Sequence, residues 1–165
     1  MFFGGRLILG GGIPIDITII SVGKLKEKHF REAEKEYLNK KRKHFKLRCI
    51  EVADEKAPAN LSRVEIKKIK DKEAKKILHY IKDAHFVIAL VIKGEILSTK
   101  MLANKIKTID CEESRNIVFV IGGSLGLSEL IIKRANFSLS FSRMTFPHQL
   151  MKIILLEQIC RLCRE

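Results

Sequence analysis

Residues 140–150 read Ser-Phe-Ser-Arg-Met-Thr-Phe-Pro-His-Gln-Leu, between a short apolar segment and a strongly apolar stretch. A simple turn would use Gly, Asn or Asp, which reverse the chain at little steric cost. Here two aromatics, a methionine and three hydroxyl side chains precede a proline. That composition supplies flat apolar walls with small polar groups between them, the makings of a ligand pocket. A second stretch, "IGGSLGL", places Gly122, Gly123 and Gly126 after an apolar run and before a helical pattern. In α/β sheets, ligands meet backbone groups at such places, outside the carboxyl ends of the strands. The stretch is not GxGxxG, it lacks the Gly-Lys-Ser/Thr of a phosphate loop, and no acidic residue closes the next strand to hold a ribose hydroxyl. Taken alone it is equally a tight structural turn or a ligand loop. Together with "FSRMTF" and "ALVIKG" it makes three converging strand ends, which suit an adenine and an uncharged ribose better than a triphosphate.

His148 follows Pro147 in the first turn of the last helical pattern, and proline there is pre-set for a helix start. The positive helix end disfavours protonation of an imidazole. A neutral acceptor in catalysis and a packed histidine with a structural hydrogen bond are both open. Cys160 and Cys163 form a CxxC near a helix end, without the preceding strand that a redox motif wants and without further ligands for zinc. Together with Cys49 and Cys111 they read as reduced core residues of a cytoplasmic protein, and no metal is expected.

The formal charge of +13 over 165 residues points to a polyanionic partner or an unexceptional basic surface. The charge is concentrated: between Lys24 and Arg48 eleven Lys and Arg stand against four Glu, a net of +7. A solvated helix with Glu–Lys pairs explains Glu32 and Glu36 but not "NKKRKH", so a phosphate-binding face is the reading preferred. No apolar run is long enough to span a bilayer.

The elements that must position these groups alternate. Ile17–Val22, 47–52, 86–92 and 117–121 read as strands. Helical patterns cover 27–43, 62–81, 98–109, a short stretch to Arg134, and the chain from about His148. Ser62 and Glu65 have capping-box spacing. Apolar central strands separated by helices mean one domain built on a mostly parallel α/β sheet of about five strands. "MFFGGRLILGGGIP", residues 1–14, does not match this pattern and is set aside as an extension outside the fold. The last helix is apolar nearly all round, with a narrow polar strip near Glu157, Gln158, Arg161 and Arg164. It therefore needs cover on more than one side, and Ile154, Leu155, Ile159 and Leu162 are expected to share it with a second subunit.

"ISVGKLKEK", "VADEKAP", "VFVIGGSLGLS" and "LSFSRMTFPHQLMKIILLEQI" closely resemble the bacterial ribosomal large-subunit methyltransferase H family, small knotted members of the SPOUT methyltransferases. The similarity runs from about Ile15 to Arg164. It implies a trefoil α/β knot with the C-terminal helix in a homodimer interface, and S-adenosyl-L-methionine as cofactor. It also implies methylation of N3 of a pseudouridine in the 23S rRNA of the assembled ribosome. Carried over one by one, the family's cofactor positions fall on Leu90, on Gly122, and on Phe141, Ser142, Arg143, Met144, Thr145 and Phe146. The family's C-terminal tail, with a Tyr-His pair, has no counterpart after Glu165, and cysteines stand where aromatics are usual. The resemblance therefore implies either an active methyltransferase or a weakly active, cofactor-binding RNA-associated protein, and it names no catalytic base.

Overall fold

The structure, a computed structural model, describes residues 14–40, 45–112 and 114–162. Residues 1–13 of the extension, Lys41, Arg42, Lys43 and His44 of the basic stretch, and Cys163 lie outside the described residues.

Ten elements alternate along the chain: β1 (Ile15–Val22), α1 (Lys28–Asn39), β2 (Phe45–Val52), α2 (Arg63–Leu78), β3 (Phe86–Ile96), α3 (Thr99–Glu112), β4 (Asn116–Ile121), α4 (Glu129–Arg134), β5 (Phe137–Ser140) and α5 (His148–Leu162). The five strands form one sheet in the order β2-β1-β4-β3-β5, every pair parallel. A strand alternates its side chains between two faces, so β1, β3 and β4 must be apolar at successive positions to serve a sheet covered on both sides. Ile15, Ile17, Ile19, Ile88, Ile117 and Phe119 face one core with α3 and α5; Ile20, Val22, Val87, Ala89, Val118 and Val120 face the other with α2 and α4. This is the parallel, doubly covered α/β sheet that the alternating pattern predicts.

The capping box expected at Ser62 forms: its hydroxyl accepts from Glu65 N, and Glu65 accepts from Ser62 N in return. β3 is longer than its apolar run. It continues through Lys93, Gly94 and Glu95 to Ile96, beyond the expected end at residue 92. Leu90 pairs with Leu139 of β5, and so does Glu95, with Ile96 beside Ser140. Residues 91–94 thus leave the ladder and β3 regains it alongside the same partner. Gly94 rides directly on β5 there: a Cβ at this position would stand 2.6 Å from the Leu139 carbonyl carbon.

The last helix corrects one expectation. Leu155, Ile159 and Leu162 are fully buried within the single chain, between the sheet and the neighbouring helices α1 and α3, so only Ile154 of the four named residues is left partly exposed. The same helix carries a residue that the apolar pattern conceals. Lys152 is 1 % exposed, with its Nζ 2.6 Å from Glu34 Oε1 of α1 and 3.0 Å from Glu51 Oε1 of β2. Burial works against its charge. The two carboxylates outweigh that, and its pKa stands above the ordinary lysine value. One ammonium thereby fastens α5 to a helix and to an edge strand.

Removing one member of a buried charge cluster strands the others, at a cost of about 3–5 kcal/mol. Lys152→Met is therefore expected to lower the urea midpoint sharply, and more than the exposed Arg161→Met does. Lys152 titrates higher in the folded chain, so its stabilisation is complete below the unfolded lysine pKa and fades as pH rises through the folded one. Equal midpoints for the two variants would show that the cluster contributes no net stability.

Candidate functional site

The carboxyl ends of β3, β4 and β5 and the start of α5 enclose a cleft of about 670 Å³. Its floor and walls are the apolar side chains Leu90, Ile121, Leu127, Leu139, Phe141 and Met151. Of the residues expected to bind cofactor, Leu90, Gly122, Phe141, Ser142, Met144, Thr145 and Phe146 all line it. Leu90 is there because it ends the regular part of β3, one residue before the chain leaves the ladder.

Gly122 ends β4. A Cβ on it would lie 2.7 Å from the Gly126 carbonyl carbon and 2.9 Å from Leu127 N, so the loop closes only over a bare backbone. Gly126 takes φ +79°, a left-handed conformation that glycine adopts without steric cost, and its N–H donates to Gly123 O at 3.0 Å. The loop is a tight turn, and its residues also form a wall of the cleft. Ser128 follows as the cap of α4, accepting from Leu130 N while its hydroxyl donates to Asp71 of α2.

Arg143 alone among the expected residues is absent from the lining. Its guanidinium Nη1 donates to Ile92 O and, at 2.9 Å, to Gly94 O. Ser140 Oγ sits 3.0 Å from Ile92 O and 2.9 Å from Ser142 O, within reach to donate to either. These groups fasten the loop after β5 to the excursion of β3, so Arg143 shapes the cleft from behind. Met144 is carried outward, 71 % exposed, at the rim.

His148, half-buried, completes the wall. It is the one titratable side chain among the lining residues, and its Nε2 lies 3.7 Å from the point where a Cβ on Gly23 would stand. The loop after β1 is held to this corner by Lys26 N donating to Gln149 Oε1 at 2.8 Å. Asp54 closes the same corner, its Cγ 3.9 Å from that point on Gly23. Below it, the buried Glu73 of α2 accepts from Glu55 N at 3.0 Å. Burial pushes the Glu73 carboxyl up from its ordinary range, against the Glu55 hydrogen bond that lowers it.

Sequence reasoning placed "ALVIKG" at the site without singling out Ile92 or Gly94, and it missed Leu139 and Met151. A lone glycine inside a strand pattern marks close backbone approach, and "VIKGEI" carried that signal. The basic stretch is exposed as expected at Lys24, Lys26, Lys28, Arg31, Lys35, Lys40, Lys46 and Arg48, but several of these cations are engaged. Lys28 pairs with Glu32, Arg31 bonds the carbonyls of Leu25 and Lys26, Lys40 lies over Tyr37, and Arg48 bonds Thr18. Burial pushes the Cys49 thiol up to about 12. Among the described residues no group of three or more His, Cys, Asp or Glu is placed to hold a metal, and no helix is long and apolar enough to cross a membrane.

The family described as "Predicted SPOUT methyltransferase", whose fold is a knotted α/β one, matches residues 15–164. The chain is 54% identical over 147 residues to "Ribosomal RNA large subunit methyltransferase H" of Alkaliphilus oremlandii (strain OhILAs), covering 89% of this chain and 92% of that one. It is 50% identical over 155 residues to the protein of the same name from Clostridium botulinum (strain Hall / ATCC 3502 / NCTC 13319 / Type A), covering 92% and 98%. With that of Lacticaseibacillus casei (strain BL23) it shares 50% over 147 residues, 89% and 92% of the two chains. The chain belongs to the ribosomal RNA large subunit methyltransferase H family of SPOUT methyltransferases.

The contacts at Gly122 make a direct forecast. Gly122→Ala should force the 126–127 backbone away, lowering the melting temperature and narrowing the cleft, whereas Gly126→Ala meets no neighbour and bears only the strain of its positive φ. Thermal melts of the two variants check the order; a smaller loss at Gly122 than at Gly126 would contradict it.

Proposed function

We propose that this chain transfers a methyl group from S-adenosyl-L-methionine to N3 of a pseudouridine in 23S ribosomal RNA of the assembled ribosome, in the cytoplasm. The observation that carries the reading is the cleft at the knot of a chain whose relatives are named ribosomal RNA large subunit methyltransferases. Its volume of about 670 Å³ falls within the roughly 300–1,000 Å³ typical of cofactor-sized sites. The lining also fits the group: apolar walls for an adenine, the bare backbone at Gly122 and Gly126 for close approach, and the hydroxyls of Ser142 and Thr145 for its polar edges.

When bound, the cofactor supplies a sulfonium-activated methyl group. The protein's part is alignment, because holding reactants in line converts a bimolecular displacement into an effectively unimolecular one. Leu90 and Phe141 would confine the ligand from opposite sides of the crossing, while Arg143 holds the loop that closes over it. The target N3 must give up its proton. We assign that proton to His148 Nε2, the one titratable side chain on the cleft wall.

The protein is further proposed to act as a homodimer through the outer side of α5. Ile153 and Ile154 are only half-buried there. Ile96 and Met101, 49 % and 51 % exposed, stand near the start of α3, whose Thr99 hydroxyl bonds Gln158 of α5 at 2.6 Å. These side chains give an apolar border that a second copy would cover.

Titration calorimetry should show one S-adenosyl-L-methionine site per chain. Ribosomes from a strain lacking this methylation should then acquire tritiated methyl at one pseudouridine of 23S rRNA. Binding without any incorporation would favour an RNA-associated protein without methyl transfer, and no binding at all would end the proposal. His148→Ala is expected to keep cofactor affinity and lose at least about a hundredfold in turnover, with partial recovery in added imidazole. Ile154→Glu should yield a folded monomer by light scattering, because a charge is then buried unpaired at the contact.

A further inference from the structure

α2 carries seven cations and three acids, a net of +4, and all three acids are committed elsewhere. Glu65 is held in the capping box with Ser62. Asp71 takes the Ser128 hydroxyl, and Glu73 is buried beneath the loop after β2. Among the described residues, only Lys76 of the helix's cations makes an ion pair, with Glu55. Residues three and four apart share a helix face. Lys68, Lys72, Lys75 and His79 therefore form one outward stripe, all exposed, opposite the buried Ala74 and Ile77. At 1.5 Å per residue the three lysines span roughly 10 Å. Asp71 and Glu73 are drawn inward, Glu65 is tied up in the cap at the helix start beside Lys68, and beyond that first turn the outward face carries a single sign of charge.

The stripe ends at a recess of about 410 Å³ between the C-terminal end of α2 and the edge strand β2, lined by Val52, Ala53, Lys76, His79 and Tyr80 together with Glu51. Tyr80 is 45 % exposed and meets the His79 ring edge-on, at 5.3 Å between centroids. An exposed aromatic beside a cationic track is the arrangement by which unpaired nucleotides are bound: cations take phosphates and the ring stacks on a base. The face lies on the α2–α4 side of the sheet, opposite the layer to which α3 and α5 belong.

We propose that the outer face of α2 and the recess at Tyr80 form a second RNA site, with Lys68, Lys72 and Lys75 on phosphates and Tyr80 stacked on an unpaired base. The inference goes beyond the proposed reaction and takes from it only that the partner is ribosomal RNA. The chain would then hold folded RNA on the side of the sheet opposite α1, the helix that carries much of the Lys24–Arg48 charge.

The test is binding of the full-length protein to 70S ribosomes, followed by co-sedimentation across a salt series and paired with methylation kinetics. Each phosphate contact contributes roughly 0.7–0.9 to the slope of log affinity against log salt. The triple variant Lys68→Gln, Lys72→Gln, Lys75→Gln should therefore flatten the slope by about 2, raise the KM for ribosomes at least about tenfold, and leave kcat and cofactor affinity unchanged. Tyr80→Ala should weaken binding roughly tenfold with the salt slope preserved, since stacking releases no counterions. A wild-type slope and KM in the triple variant would overturn the inference, and wild-type affinity in Tyr80→Ala would remove the base-stacking half of it. If the unmodified protein binds ribosomes but transfers no methyl, the proposed reaction fails while the salt series still reads the α2 site. Circular-dichroism melts of both variants verify folding, and a single Lys72→Gln serves if the triple variant unfolds.

Discussion

One backbone passes over another at Gly94, and the carboxyl edge of the sheet is built around that contact. The approach to Leu139 leaves no room for a side chain, so β3 lies flat on β5 and must swing residues 91–94 out of the ladder. That swing presents the carbonyls of Ile92 and Gly94, which the guanidinium of Arg143 collects; Ser140 also reaches Ile92. Backbone acceptors in such a place need partners, and here they come from the chain that has just passed beneath. The loop after β5 is thereby pinned beside the ends of β3 and β4, and the cleft is the space left between them.

Polar side chains perform a parallel task around that cleft. Asp71, Glu73 and Lys76 all leave α2 for loops at the carboxyl edge: the start of α4, the backbone of Glu55, and the carbonyl of Ala53. On the opposite side of the sheet, Lys152 draws α1 and β2 toward α5. Each bond is local, yet together they fix loops that apolar packing alone would leave free to shift. Buried charge is tolerated because every member has a partner of opposite sign or a hydrogen-bond donor.

Much of this was legible from residues alone. The strands read at 17–22, 86–92 and 117–121 announce themselves because a parallel sheet covered on both faces needs long apolar, largely β-branched runs. The Ser62–Glu65 cap is readable because capping is local chemistry. Seven of the eight anticipated site residues line one cleft, since aromatics and hydroxyls in a connection have few other uses. What stayed hidden depends on contacts distant in sequence. Lys93, Gly94 and Glu95 look like a loop because their strand pairing is set by β5, more than forty residues later. Arg143 looks like a ligand contact, and only the Ile92 and Gly94 carbonyls turn it into a tie. Lys152 breaks no periodicity strongly enough to reveal two carboxylates waiting on other elements. The extra cover sought for Leu155, Ile159 and Leu162 came from α1 and α3, whose lateral packing a single-helix pattern does not contain.

α5 has two duties at once, and this links assembly to competence. Its first turns supply His148 and Met151 to the cleft, while Leu155, Leu156, Ile159 and Leu162 seal one face of the sheet. Chains are made from the amino terminus, so this helix and the segment that runs beneath residues 91–94 emerge after everything they must join. Until they arrive, an apolar face that includes Ile17, Ile19, Ile88 and Phe119 lacks part of its cover. Completing the hydrophobic interior and completing the pocket are therefore one event, because the same helix finishes both.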